Sequence, residues 1–151
     1  MAAKTIEPGS PVKQFSVMLH NRAGALAALV KLLRNAAIEV VGLSMQDSRD
    51  ATVARLVVTD PETAEHIFME KGIPYTTCDL VVLSLKESGP ELLPILDTLM
   101  VAETNIDFAY ALMPSQQGHA LLALHVEDYD FATSILGQSG FKLLKQEDLS
   151  R

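Results

Sequence analysis

This chain has almost no means of locking itself covalently. Cys78 is the single cysteine among 151 residues, so no internal disulfide can form. That usage fits a reducing compartment, and a cytoplasmic location is expected. Tryptophan is absent and aromatics make up 5% of the chain, which leaves the core to Leu, Val, Ile, Ala and Met. No apolar run approaches the ~20 residues of a membrane span. The first residues also lack the basic-then-apolar pattern of a secretory signal. Positive charge is scarce: 12 Lys and Arg face 19 Asp and Glu, for a net charge of -7. A field of that sign repels phosphate backbones and anionic lipid, so neither nucleic acid nor membrane is expected as a partner. Catalytic signatures are missing too. There is no phosphate-binding glycine loop, paired-carboxylate motif or Ser/His/Asp order, and the His residues lack metal-ligand spacing. The expectation is a protein that is not an enzyme and carries no cofactor and no metal.

What is present is hydrophobic periodicity. Residues 15–19 alternate, with Phe15, Val17 and Leu19 on one face and Ser16, Met18 and His20 on the other. Leu26, Leu29, Val30 and Leu33 form the stripe of a helix lying on a sheet. Residues 40–46 read as a strand with Val41, Leu43 and Met45 on one face, and residues 53–58 as the next. Asp60-Pro61 is an N-cap followed by proline at the first helical position. That helix buries Ala64, Ile67 and Phe68 and stops at Gly72.

The same order recurs. Val81, Leu83 and Leu85 alternate; Gly89-Pro90 opens a helix carrying Leu92, Ile95, Leu96 and Leu99; strands follow at 106–113 and 119–126. Asp128 caps a helix with Phe131, Ile135 and Leu136, and residues 141–145 form the last strand. The offset between copies is roughly 66 to 68 residues. The expected division is a flexible arm at 1–12, a first repeat at 13–78 and a second at 79–151. A βαββαβ order with right-handed crossovers makes each repeat an α+β, ferredoxin-like unit: a four-stranded antiparallel sheet with two helices on one face. The other face, presenting Met18, Val40, Ala109 and Leu121, needs cover from the sister copy or another chain. A homodimer or higher homo-oligomer is therefore expected.

The most informative segment is the turn between the first strand and the first helix: Asn21, Arg22, Ala23, Gly24, Ala25, Leu26. A polar, glycine-containing entry to a helix presents free backbone N–H groups suited to a carboxylate. On this turn and the repeat, the chain resembles a tandem pair of ACT domains, small regulatory modules that respond to amino acids. Residues 15–45 particularly resemble the start of acetolactate synthase regulatory subunits; Ala23 stands where proline is usual. The resemblance implies a ligand held between two units, the turn of one facing the start of the second strand of the other. One composite site then joins Asn21 to Leu26 with Asn105 and Ile106. The N–H groups after Gly24 would hold a ligand carboxylate, the amides of Asn21 and Asn105 its ammonium, and Leu26 and Ile106 its apolar part. Arg22 could add a charge. The opposing site, Ser88 and Gly89 with Glu39 and Val40, reads as weak or lost.

The function implied is a non-catalytic regulatory protein sensing a small amino acid. A second possibility is a regulatory subunit of a biosynthetic enzyme such as acetolactate synthase, although a second ACT copy is not expected in that subunit's C-terminal half. A third is a structural oligomerisation module that binds no ligand. On the composite-site reading, Asn21→Ala and Asn105→Ala should each abolish amino-acid binding in a competition assay. A variant that binds with wild-type affinity removes its residue from the site.

Overall fold

The computed structural model describes residues 7–20, 23–47, 51–86, 89–115 and 117–150. The first unit runs β1 (Val12–Leu19), α1 (Ala25–Asn35), β2 (Val40–Asp47), β3 (Thr52–Val58) and α2 (Pro61–Lys71). Then comes β4 (Tyr75–Leu85). The second unit continues with a 3-10 turn (Gly89–Glu91), α3 (Leu92–Val101), β5 (Ile106–Leu112), β6 (Ala120–Val126), α4 (Tyr129–Gln138), β7 (Lys142–Leu144) and α5 (Gln146–Leu149). Local chemistry sets the helix ends as expected. The Asp60 carboxylate accepts the Thr63 N–H at 3.1 Å, and Asp128 accepts that of Phe131 at 3.1 Å. Gly72 ends α2 with φ 66°, a left-handed conformation that costs glycine nothing. Val12, expected in the arm, is instead the buried first residue of β1.

The strand order is β2-β3-β1-β4-β6-β5, with every pairing antiparallel. β7 pairs the other side of β4 from β6, end to end with β1. Two four-stranded units of identical order are embedded here: β2-β3-β1 with the first half of β4, and β5-β6 with the second half of β4 and then β7. β4 crosses the 78/79 junction without a break. Its residues 75–80 pair β1, and its residues 81–85 pair β6.

Three hydrophobic clusters follow from strand alternation. Phe15, Val17, Leu56 and Val58 pack under α1 and α2 with Leu29, Leu33, Ala64 and Phe68. Val81, Leu83, Leu124 and Val126 pack under α3 and α4 with Ile95, Leu99 and Leu136. The third cluster lies on the face turned away from the helices. There Val12 and Val57 of the first unit meet Leu112, Leu121 and Ala123 of the second, with Leu80 and Val82 of β4 between them. The sheet curls around this inner core until its two outermost strands meet: the Met113 N–H donates to Val41 O at 2.8 Å. Gly42 lies at this meeting point, where an added Cβ would collide with Leu112 and press on Val57. Of the two covers expected for this face, the sister copy supplies it, within the chain.

Two β-bulges correct the expected facing of the second strands. β2 slips between Val40 and Gly42, and β5 slips at the matching place between Ile106 and Phe108. Each slip reverses which residues face inward beyond it. Val40 therefore packs on the helix side, and Val41 turns into the inner core. Leu43 and Met45, expected to share a face with Val41, pair Leu56 and Ala54 instead. Ala109 pairs Leu124 on the helix side rather than lying on the inner face with Leu121. In α3 and α4 the buried stripe is narrower than expected: Leu92, Leu96 and Phe131 are exposed.

Polar contacts tie the units. Gln146, 2% exposed, donates its amide to Val58 O at 3.0 Å and accepts the Lys13 N–H at 3.1 Å. This pins α5 of the second unit to β1 and β3 of the first. The Arg55 guanidinium lies 3.8 Å from the Phe108 ring centroid, and Phe108 stacks on His125 at 4.9 Å. The bulge at Asp107 aims its carboxylate at His125 Nδ1, 2.8 Å away. The Tyr110 hydroxyl donates to the buried Gln14 Oε1 at 2.7 Å.

Burial pushes the Tyr110 phenol well above the ordinary tyrosine range; Cys78 adds to the rise and Arg55 opposes it. The folded state therefore holds this proton more tightly than the unfolded chain. The resulting stability is complete below about pH 10 and is lost as pH climbs above it. Tyr110→Phe should flatten the alkaline decline in unfolding free energy, at a cost of about 1–2 kcal/mol near neutrality from the lost hydrogen bond. Urea unfolding from pH 7 to 11 measures both; parallel alkaline slopes for the two proteins contradict this assignment.

Candidate functional site

The expected carboxylate cradle has the geometry of an open helix start. Gly24 adopts φ 84°, and no described side chain caps α1. Its carbonyl accepts the Ala28 N–H at 2.9 Å. Ala23 and Gly24 are exposed, and Ala25 and Leu26 are half-buried. Asn21 and Arg22 lie outside the described residues.

Asn105 and Ile106 sit elsewhere. The Asn105 side-chain amide donates to Glu127 Oε2 at 3.0 Å, and Ile106 packs into the helix-side core of the second unit. The neighbouring Thr104 and Glu127 line a hollow of about 570 Å³ together with Pro11 and Asp79. Pro11 immediately precedes β1, whereas the Gly24 turn follows its far end. An eight-residue strand separates them, roughly 26 Å at ~3.3 Å per residue. The two halves of the composite site do not meet within one chain. The hollow beside Asn105 also carries Glu103, Asp128 and Asp130 on its walls, a setting that disfavours a carboxylate.

A larger cleft, about 700 Å³, opens at the other end of the inner core. Residues from both units build it. The first unit contributes Glu39, Val40 and Val41 from the start of β2, with Thr59 just after β3. The Glu39 N–H is held by Thr59 Oγ1 at 3.0 Å. The second unit contributes Ser84 and Lys86 from the end of β4, His119 before β6, and Lys142 of β7. Strand register explains their convergence. Ser84 pairs Lys142 across β4 and β7. Leu85 pairs Ala120, so one step further Lys86 stands opposite His119. Ser84 and Lys86 share a face of β4 because side chains alternate. Ser84 Oγ lies 3.3 Å from His119 Nδ1. Val41, Leu121, Leu144 and Leu149, members of the inner core or packed on it, form the apolar floor.

Of the residues expected in the weaker second site, Glu39 and Val40 line this cleft. Ser88 lies outside the described residues. Gly89 opens the 3-10 turn three residues beyond Lys86 and is exposed. Residue spacing did not single out Lys86, His119 or Lys142 for this role. They come from separate strands, and only register and the bulge that turns Val41 inward bring them to one mouth.

A family model described as an ACT domain pair matches residues 10–151. No curated protein matches the chain. Among solved structures, protein BT0572 from Bacteroides thetaiotaomicron is similar at TM-score 0.84 and 22% identity, covering 93% of this chain and 96% of that one. The ligand-free regulatory subunit of aspartate kinase from Thermus thermophilus is similar at TM-score 0.59 and 13% identity, covering 85% of this chain and 91% of that one. The aspartokinase alpha and beta subunits are similar at TM-score 0.55 and 18% identity, with 84% of this chain and 90% of that one covered. At these identities the likeness is one of fold, and it extends over both units and the strand that joins them. Two ferredoxin-like units in tandem, matched over nearly the whole length by a single family model, place this chain in the ACT domain family as an ACT domain pair.

Proposed function

We propose that this protein is a non-catalytic, cytoplasmic regulatory module that binds a small amino acid between its two ACT units. The observation that carries this reading is the inter-unit cleft, which sets the start of the second strand of one unit against the end of the first strand of the other. Its volume of about 700 Å³ falls within the ~300–1,000 Å³ usual for small-molecule sites. A ligand touching both walls favours whichever arrangement of the units closes around it, and that preference is the signal passed to a partner. The site of Asn21 to Leu26 with Asn105 and Ile106 has a different requirement. Its halves lie at opposite ends of β1, so a second chain would have to supply one of them, and a homodimer is the assembly that could do so.

A role as the regulatory subunit of an amino-acid biosynthetic enzyme is the second reading. It is supported by the fold shared with the aspartate kinase regulatory subunit.

A thermal-shift screen of the full chain with the twenty amino acids tests the first reading. A bound amino acid at 100 times its dissociation constant stabilises by ~2.7 kcal/mol, which a melting curve resolves. At least one amino acid should raise the melting temperature; a flat response to all twenty leaves a structural oligomerisation module as the better account.

A further inference from the structure

The lining of the inter-unit cleft is selective in a way that its position alone does not dictate. Its basic groups all belong to the second unit: Lys86 just after β4, His119 just before β6 and Lys142 on β7, while Glu39 is the charged residue of the first-unit wall. Two of the 12 Lys and Arg in a chain of net charge -7 are gathered at one mouth. The chain as a whole repels anions, so this local concentration is what admits a carboxylate. Beneath the charges the floor is aliphatic: Val41, Leu121, Leu144 and Leu149.

We propose that this cleft binds a zwitterionic amino acid with an apolar side chain. Lys86, His119 and Lys142 hold its carboxylate, Glu39 holds its ammonium, and the aliphatic floor takes its side chain. The inference rests on the proposed amino-acid-sensing role and goes further by naming the ligand class and the groups that select it. It also makes the ligand a strut. The carboxylate anchors to the second unit and the ammonium to the first, so only the intact zwitterion ties the two walls together. Asp148, near the end of α5, adds a second carboxylate at the rim. A free acidic side chain on the ligand would meet the floor without a partner, and burying an unpaired charge there is costly.

Isothermal titration of the full chain with leucine, isoleucine, valine, methionine and phenylalanine, against aspartate, lysine and serine, tests this. At least one apolar amino acid should bind ten-fold or more tightly than any of the other three. Leucinamide and 4-methylpentanoate, each lacking one end of the zwitterion, should bind at least ten-fold more weakly than leucine. Lys86→Gln and Lys142→Gln should each weaken leucine binding by a similar factor while leaving the unliganded melting temperature unchanged. Tightest binding by aspartate, lysine or serine overturns the inference but leaves the sensing role standing. So does leucine binding at wild-type affinity in the doubly substituted chain. No binding by any of the twenty amino acids, in titration and thermal shift alike, overturns both.

Discussion

One strand holds this molecule together. β4 is the last strand of one unit and the first of the next, eleven residues with no break between the two duties. Because alternation runs straight through it, Tyr75, Val81 and Leu83 all face the helices while Leu80 and Val82 face away. The two units are thereby fixed with their helices outside and their bare sheet faces turned toward a common interior. The right-handed twist of each sheet does the rest, curling the assembly until β2 and β5 touch. A flexible link in place of this strand would leave the inner faces free to find other partners; a rigid one closes them on each other.

The curl also decides what can be a binding site. Face-to-face packing fills the middle of the interior with Val57, Leu80, Val82 and Leu112 and leaves its ends open. One end carries the Arg55–Phe108–His125 stack with Asp107, a polar interlock between units. The other end is the cleft, where the inner core surfaces as an aliphatic floor beneath charged side chains. Helix starts, usually the attraction for an anion, stand on the outside of this arrangement. In the proposed binding mode, the side chains at the mouth take over the task that backbone N–H groups perform at an uncapped helix.

Much of the fold was legible in the sequence because its signals are local. The Asp60-Pro61 start, the Gly72 stop, the Asp128 cap and the alternation of Phe15, Val17 and Leu19 each report their own element, and the repeat of that order gave the architecture. What sequence could not report was register. The bulges in β2 and β5 leave no local mark, yet they put Val40, Val41 and Ala109 on faces opposite to those expected. The family pattern put Glu39 and Val40 in a second site expected to be weak or lost; the cleft they line brings in Lys86, His119 and Lys142, which only cross-strand pairing places beside them. The same limit applies to Asn105. Its spacing matches the motif, but β1 separates it from the Gly24 turn.

In the proposed binding mode an amino acid sits inside one chain, at the mouth where the two units meet. Amide chemical-shift mapping during titration with the best-binding amino acid locates it. Perturbations should concentrate at Val41, Ser84, Lys86, His119 and Lys142, with the amides of Gly24, Ala25 and Asn105 unmoved. Perturbations confined to Gly24, Ala25 and Asn105 would contradict that mode and place the ligand between chains.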